Sequence, residues 1–349
     1  MSPPERNLVF DLTDFDETTT GCWEWDIKRL VTSFVLAARE FGLGRSYQQE
    51  IVHQVVSTYR ENISVYEAFE PLQMWYQKID AKSVFAHAKI RDSQARMEKS
   101  VAAAKSRTVE ALLPRITRAD PQNPAKRQFV EQPPTFSRNH EGEGFLAETE
   151  RMIRAYVLTL SDGRSELFQR YSLSDAAMKV VGVGSVGLRC GVLLFEDSDG
   201  APLVLQIKEA RPSIFAASPT DLKTNHEGYR VVHGQRLVQA ASDLFLGWTS
   251  DSKGRQYYLR QLRDMKLSID LLHSDPQSLL DYGHLCGLAL ARAHAKSGKA
   301  SYIAGYLGQG DQIDFALDAF GLAYADQVER DFLEFQKLVS SGTIPVEIA

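Results

Sequence analysis

Residues 180–195 have the sequence VVGVGSVGLRCGVLLF, which places a glycine-rich loop directly before a strand-forming run. The glycines follow the pattern G-x-G-x-x-G at Gly182, Gly184 and Gly187. Glycine lets the backbone turn tightly and brings bare amide groups close to an anion. After the loop, apolar residues recur at every second position, which is typical of a strand: Leu188, Cys190, Val192 and Leu194. The sequence therefore predicts a glycine loop between two strands.

This order of elements separates two kinds of phosphate-binding loop. A dinucleotide-binding fold needs a helix that begins at the last glycine, whereas protein kinases place their glycine loop over the phosphates between two strands. The strand predicted after Gly187 favours the kinase arrangement. A plain β-turn explains many glycine patterns of this kind, so the loop alone is a weak signal.

Lys208 ends the next apolar strand, Leu203–Lys208, which the turn EDSDGAP joins to the previous one. A kinase lysine that contacts the α- and β-phosphates has this position. The alternative is an edge lysine whose charged end reaches solvent. Together, the loop and Lys208 predict a site for ATP or a related nucleotide. Its predicted binding residues here are Gly182, Gly184, Ser185, Gly187 and Lys208.

The chain is predicted to be helical, then β-rich, then helical again. Residues 1–119 are assigned to the first part of a helical lobe, 120–145 to a linker, 146–265 to a β-rich nucleotide-binding lobe, and 266–349 to the second part of the helical lobe. The patterns predict helices over 26–41, 53–59, 65–76, 83–118, 146–160, 226–241, 278–296 and 313–339. The expected fold class is α+β, predominantly helical, with one small antiparallel sheet.

Composition limits the possible partners. The chain has 349 residues, a formal net charge of -5 and a pI near 6.0, which give no basic field for nucleic acid. Its three cysteines are scattered, as expected in a reducing compartment. No apolar run reaches the ~18 residues of a membrane span, and the first residues do not have the pattern of a secretory signal. A cytoplasmic protein without membrane or nucleic-acid partners is expected.

Several blocks of the sequence resemble one bacterial family, domain of unknown function 2252. These blocks, which span nearly the whole chain, are VFDLTDFDETTTGCWEWDIKRLVTSF, VVGVGSVGLRC, LQIKEARPS, RVVHGQRLVQAASDLFLGW, YYLRQLRDMK and LARAHAKSG. The family is itself similar to protein kinases and aminoglycoside phosphotransferases. The resemblance implies a two-lobed protein-kinase-like fold whose pieces occur in circularly permuted order.

The resemblance also implies a metal site. VFDLTDFD is similar to the kinase strand that ends in a metal-binding aspartate. Asp11 is the implied ligand of Mg²⁺ and Asp14 a second one, while Asp26 is the implied N-cap of the following helix. Asp11 and Lys208 are expected to face one cleft between the two lobes.

Other positions carry the kinase comparison further or depart from it. The helix after Lys208 is expected to hold that lysine through Gln235, which replaces a glutamate; Glu227 is the charged alternative. Gln206 stands where kinases have a small alanine against the adenine. Arg189 stands where they have a valine, and the comparison makes it a nucleotide-binding residue that could reach a phosphate. The block LARAHAKSG resembles the helix before the catalytic loop and contains His294.

Family members carry, upstream of the strand-aspartate motif, a segment resembling Gly-Asp-Ala-His-x-x-Asn-Phe that supplies the catalytic aspartate. This sequence begins after that segment, so the expectation is a truncated chain without a catalytic residue, which binds nucleotide without turnover. The expected function is a kinase-like nucleotide-binding protein of a phosphoryl- or nucleotidyl-transferase family, acting on an unknown small molecule or protein. The alternatives are a non-catalytic pseudokinase-like module and a helical interaction protein.

Overall fold

The structure is a computed structural model that describes residues 8–80, 108–124, 126–133, 136–137, 144–179, 187–215, 225–262 and 275–346. The chain divides into two compact units, each made of separate stretches of sequence. The sheet unit consists of Met1–Val9, Thr13–Thr20 and Glu98–Leu267. The helical unit consists of Phe10–Leu12, Gly21–Met97 and Ser268–Ala349.

The described helices, in chain order, are α1 (Trp23–Glu40), α2 (Arg45–Tyr66), α3 (Pro71–Tyr76), α4 (Val109–Ile116), α5 (Gly144–Val157), α6 (Asp162–Phe168), α7 (Glu227–Val238), α8 (Pro276–Ser297), α9 (Ala300–Leu307) and α10 (Gln312–Ser340). The described strands are β1 (Val9–Phe10), β2 (Ile79–Asp80), β3 (Thr117–Ala119), β4 (Arg127–Phe129), β5 (Phe136–Ser137), β6 (Ser172–Lys179), β7 (Cys190–Glu196), β8 (Pro202–Ala210), β9 (Gly247–Ser250) and β10 (Gln256–Gln261). None of the described helices is both long enough and apolar enough to cross a membrane.

In the helical unit, α1, α2, α8, α9 and α10 all contribute buried side chains to a shared apolar core. The apolar residues of α1 recur at helical spacing, so they form one stripe that faces this core. α2 and α8 pack closely at Gly287, where an added Cβ atom would lie 2.5 Å from the carbonyl oxygen of Val55. A larger residue at Gly287 would push the two helices apart.

The sheet unit contains a six-stranded sheet in the order β5-β6-β7-β8-β10-β9, and every neighbouring pair is antiparallel. β7 is buried along its whole length. The side chains of Leu193 and Leu205 pack with those of α5 and α6 on one face, while Val192 and Val204 pack with α4 and β4 on the other. Each fully buried large apolar side chain contributes roughly 1.5–3 kcal/mol.

The predicted hairpin around the glycine loop is confirmed. β6 and β7 flank that loop and pair antiparallel, with Met178 opposite Gly191, and a strand rather than a helix follows Gly187. The prediction of one small sheet is wrong, because the main sheet has six strands and β1-β2 and β3-β4 form two-stranded sheets. β5 lies in the segment predicted to be a linker, and two residues are too few to show a periodic pattern.

The predicted mixture of helix and strand is confirmed, and about 52% of the structure is helical. The first long helix begins earlier than predicted, at Trp23, so Asp26 lies inside α1 and is not its N-cap. Most of the helix predicted over 83–118 lies outside the described residues. Its last part is wrong, because Thr117–Ala119 is strand β3 and pairs with β4.

Candidate functional site

Lys208 on β8 forms a partly buried ion pair with Asp16, which lies between β1 and α1. The Nζ atom of Lys208 donates a hydrogen bond to Oδ2 of Asp16 at 2.5 Å. The two side chains are 11% and 29% exposed. Ion pairs removed from water in this way attract more strongly than surface pairs do. Lys208 is therefore held by a carboxylate and is not an edge lysine that reaches into solvent.

Tyr258 on β10 holds the other oxygen of the same carboxylate. Its hydroxyl donates to Oδ1 of Asp16 at 2.7 Å. Burial acts to raise the pKa of Asp16, but the hydrogen bonds from Lys208 and Tyr258, together with the positive charges of Lys208 and Arg260, outweigh burial and leave that pKa below its usual value. Burial raises the pKa of Tyr258 well above its ordinary value, so this hydroxyl stays protonated. At neutral pH, Asp16 is thus an anion bonded through both oxygens.

A second cation lies beside this pair. The Nε atom of Arg260 donates to Oε1 of Gln206 at 3.1 Å, and the guanidinium carbon is 5.8 Å from the ring centroid of Tyr258. The Nζ atom of Lys208 is 5.7 Å from the same centroid. The buried Gln206, which sequence reasoning placed against a nucleotide base, is therefore oriented by an arginine.

The strand register explains why these four side chains share one face of the sheet. Lys208 lies opposite Tyr258, and Gln206 lies opposite Arg260. Residues opposite each other on antiparallel strands point to the same side, and so do alternate residues along one strand. The alternating side-chain direction along β8 and β10 thus places Lys208, Gln206, Tyr258 and Arg260 on the same face of the sheet.

The end of the glycine loop is described from Gly187 onwards. Gly187 has φ of +78°, a left-handed conformation that favours glycine, and its carbonyl oxygen accepts a hydrogen bond from Nη2 of Arg211 at 2.7 Å. The backbone N–H of Arg189 donates to the carboxylate of Glu209 at 3.0 Å. Gly182, Gly184 and Ser185 lie outside the described residues. The nucleotide-binding roles of all these loop residues stay predictions.

α7, the helix that follows β8, does not supply the partner of Lys208. The Nε2 atom of Gln235 donates to Oε1 of Gln239 at 3.0 Å, and Glu227 accepts from Nε of Arg230 at 2.5 Å. The expectation that the helix after Lys208 holds this lysine is therefore wrong, because Asp16 holds it. A nucleotide-binding role for Gln235 stays a prediction.

Asp14, the second predicted metal ligand, is exposed and has φ of +72°. It has the one positive φ found at a non-glycine position among the described residues. Aspartate adopts this left-handed conformation more readily than most residues. Phe15 is buried between Asp14 and Asp16, so the exposed and the paired carboxylate lie two positions apart.

Asp11, the first predicted metal ligand, belongs to the helical unit. Its Oδ1 atom accepts a hydrogen bond from Nη2 of Arg292 at 2.5 Å, and both side chains are 0% exposed. His294, two positions beyond Arg292, lies 2.8 Å from the Tyr59 hydroxyl through Nδ1 and 3.2 Å from the Asp26 carboxylate through Nε2. The metal role of Asp11 stays a prediction.

The side chains of the sheet unit suit a phosphate group with its metal ion. In the described part of the chain, no three His, Cys, Asp or Glu side chains come together as a metal cage. Mg²⁺ in nucleotide sites usually takes one or two carboxylates together with phosphates and water. Asp16 and Asp14 are carboxylates that could hold such an ion, and Lys208 and Arg260 are cations that could contact phosphate oxygens.

Sequence reasoning missed Asp16, Tyr258 and Arg260. Asp16 belongs to the motif VFDLTDFD, two positions after Asp14, but the motif alone did not show which carboxylate would bond Lys208. The alternation in YYLRQL places Tyr258 and Arg260 on one strand face, which is a usable signal. Their position opposite Lys208 depends on the pairing register of the strands.

Comparison with known proteins identifies the family of the chain. No curated protein and no solved structure matches it. A family model described as "uncharacterized protein conserved in bacteria (DUF2252)" matches residues 1–338, which is nearly the whole sequence. The chain therefore belongs to the bacterial DUF2252 family.

Proposed function

We propose that the sheet unit binds the phosphates of a Mg-nucleotide, ATP or a related one, at the Lys208–Asp16 pair. The observation that carries the proposal is the position of this pair on the third strand of a run whose first two strands flank a glycine-rich loop. In protein kinases the phosphate-binding lysine is on the third strand, next to such a loop. The fold we propose for the whole chain is protein-kinase-like, in permuted order.

In this proposal each charged group has a defined role. Lys208 contacts phosphate oxygens, and the backbone amides of the glycine loop surround them. Asp16 and Asp14 are the carboxylates that would hold the metal ion, and Tyr258 orients Asp16 through its hydrogen bond to Oδ1. Mg²⁺, when bound, neutralises phosphate charge. Arg260 and Gln206 present a polar pair to the base, in place of the apolar contact that a small alanine would give.

Phosphoryl or nucleotidyl transfer is the activity that this type of site supports. A non-catalytic nucleotide-binding module is the alternative, and one observation favours it. An active kinase needs an ion pair between its strand lysine and a glutamate of the following helix. Here α7 offers Gln235, whose amide is bonded to Gln239, and the lysine is paired with Asp16 instead.

A thermal-shift panel tests the proposal and its alternatives together. Mg-ATP and Mg-GTP are compared with NAD and with Mg²⁺ alone, and phosphate release is measured on the same samples. We expect a nucleoside triphosphate with Mg²⁺ to raise the melting temperature, since a ligand at 100 times its Kd adds about 2.7 kcal/mol of stability. Binding with phosphate release supports the transferase, and binding without it supports the non-catalytic module. No shift with any nucleotide would contradict both.

A further inference from the structure

The residues around Asp16 form a turn that is held by hydrogen bonds to its backbone carbonyl oxygens. We define the acidic turn as Phe15–Thr18; the N–H of Thr18 donates to the carbonyl oxygen of Phe15 at 3.1 Å and closes it. The Ser213 hydroxyl donates to the Glu17 carbonyl oxygen at 3.0 Å. The carbonyl oxygens of the two neighbouring residues, Asp16 and Thr18, are held from α7.

Arg230 on α7 makes both of those contacts. Its Nη1 atom donates to the carbonyl oxygen of Thr18 at 2.5 Å, and its Nη2 atom donates to that of Asp16 at 2.9 Å. Nη2 also donates to the carbonyl oxygen of Arg211 at 2.8 Å. The Arg230 side chain is only 4% exposed. Burying a guanidinium group to this degree is favourable only while its donors are paired. The contacts of Arg230 therefore hold α7, the acidic turn and the residue that follows β8 in fixed positions.

α7 touches the acidic turn at a second point, one helical turn further on. A Cβ atom added to Gly234 would lie 2.5 Å from Oγ1 and 2.6 Å from Cγ2 of Thr18. Residues four apart lie on the same side of a helix, so Arg230 and Gly234 present one face of α7 to the turn. The first contact is polar and the second is steric.

From these contacts we infer that Arg230 is a positioning residue, which fixes the acidic turn against α7 so that the Asp16 carboxylate meets Lys208. In a kinase the helix after the strand lysine contacts that lysine directly. In this protein α7 acts on Lys208 through Arg230 and the Asp16 backbone. A movement of α7 therefore changes how strongly Lys208 is held. The inference rests on the proposed function only in taking Lys208 to be a nucleotide-binding residue. The contacts of Arg230 do not depend on any ligand.

Amine labelling of Lys208 tests the inference without nucleotide. An isotope-coded acylating reagent is reacted briefly with the full chain, and mass spectrometry gives the labelling of Lys208 relative to the exposed Lys253. Arg230→Gln is expected to raise this ratio about tenfold, because loss of a charged hydrogen bond frees the amine. Arg236→Gln is the matched control. Arg236 is on the same helix and also donates to a backbone carbonyl oxygen, that of Leu246, which is not part of the acidic turn. Arg236→Gln is expected to leave the Lys208/Lys253 labelling ratio unchanged.

A second pair of variants keeps the test decisive if Arg230→Gln does not fold. Gly234→Ala pushes on Thr18 and is expected to raise Lys208 labelling in the same direction. Thr18→Ala removes both close atoms and leaves a Cβ at 3.1 Å, so Thr18→Ala combined with Gly234→Ala is expected to restore the low ratio. Unchanged labelling in a folded Arg230→Gln or Gly234→Ala protein would overturn the inference, and so would an equal rise in Arg236→Gln. If only nucleotide binding failed, the result would count against the proposed function and not against the inference about Arg230.

Discussion

Lys208 and Asp16 are 192 positions apart in the sequence, and their charged atoms are 2.5 Å apart in the sheet unit. Tyr258 bonds the second oxygen of the same carboxylate. One carboxylate thus connects three segments: the acidic turn, β8 and β10. The strength of this connection can be measured through the titration of Asp16.

Replacing Asp16 with Asn is expected to lower stability at neutral pH by about 1.5–3 kcal/mol, the range for hydrogen bonds to charged groups. The pKa of Asp16 is lowered in the folded state, so the stability that it contributes is complete above its unfolded pKa of about 4. That stability is lost as the pH falls through the folded pKa. The difference in melting temperature between wild type and Asp16→Asn should therefore be full at pH 7 and narrow below about pH 4. Asp199→Asn, on an exposed turn, is the control; a difference independent of pH would refute this account.

The Asp11–Arg292 pair is expected to be essential for the stability of the helical unit. Both side chains are 0% exposed, so Asp11→Asn removes a negative charge that is bonded to a buried guanidinium group. Loss of one partner of such a pair costs about 3–5 kcal/mol, while replacing both partners by apolar residues recovers much of it. Urea unfolding should show this loss for Asp11→Asn and recovery for Asp11→Leu combined with Arg292→Met. Asp326→Asn, which weakens an exposed pair with Arg39, should cost at most about 1 kcal/mol. Wild-type stability of Asp11→Asn would be inconsistent with a structural role.

Lys296 in α8 is expected to titrate at unusually low pH. Burial and the nearby charge of Arg292 lower its pKa to about 8, although Asp11 and the Trp75 ring, 4.2 Å from Nζ, favour the charged form. The unfolded lysine titrates near pH 10.4, so between about pH 8 and 10.4 the unfolded chain holds more protons and stability rises with pH. NMR of ¹³Cε-labelled lysine should give one resonance with a midpoint near pH 8 that disappears in Lys296→Gln. A midpoint near pH 10 would contradict a lowered pKa for Lys296.

The glycine loop hairpin was predictable because it depends on local pattern. Strand alternation after Gly187 and the turn before Leu203 fix the order of three strands, and the pairing of β6, β7 and β8 agrees with that order. The position of Lys208 near the end of β8 follows from the same alternation. β5 was not predictable, since a two-residue strand is defined by its partner β6 and not by its own residues.

The partners of the charged residues were not predictable from one sequence. Asp11, Asp14 and Asp16 lie within one short motif, yet Asp11 is buried against Arg292, Asp14 is exposed and Asp16 bonds Lys208. Which carboxylate meets which cation depends on tertiary contacts between segments nearly 200 or more positions apart. For the same reason, a contact between Gln235 and Lys208 was reasonable to expect from the sequence, but the packing of α7 directs Gln235 to Gln239 instead.

The central claim is that Lys208 binds nucleotide phosphate, and calorimetric titration with Mg-ATP tests it most directly. Four proteins are compared: wild type, Lys208→Ala, Lys253→Ala and Leu205→Ala. Lys208→Ala should weaken binding about 10- to 100-fold, because it removes a charged hydrogen bond to phosphate. Lys253→Ala removes an exposed lysine from the β9–β10 turn and should bind as wild type does. Leu205→Ala should lose about 2–5 kcal/mol of stability while the remaining folded protein keeps its affinity. Equal affinity of wild type and Lys208→Ala for Mg-ATP, or no binding by wild type, would contradict the claim.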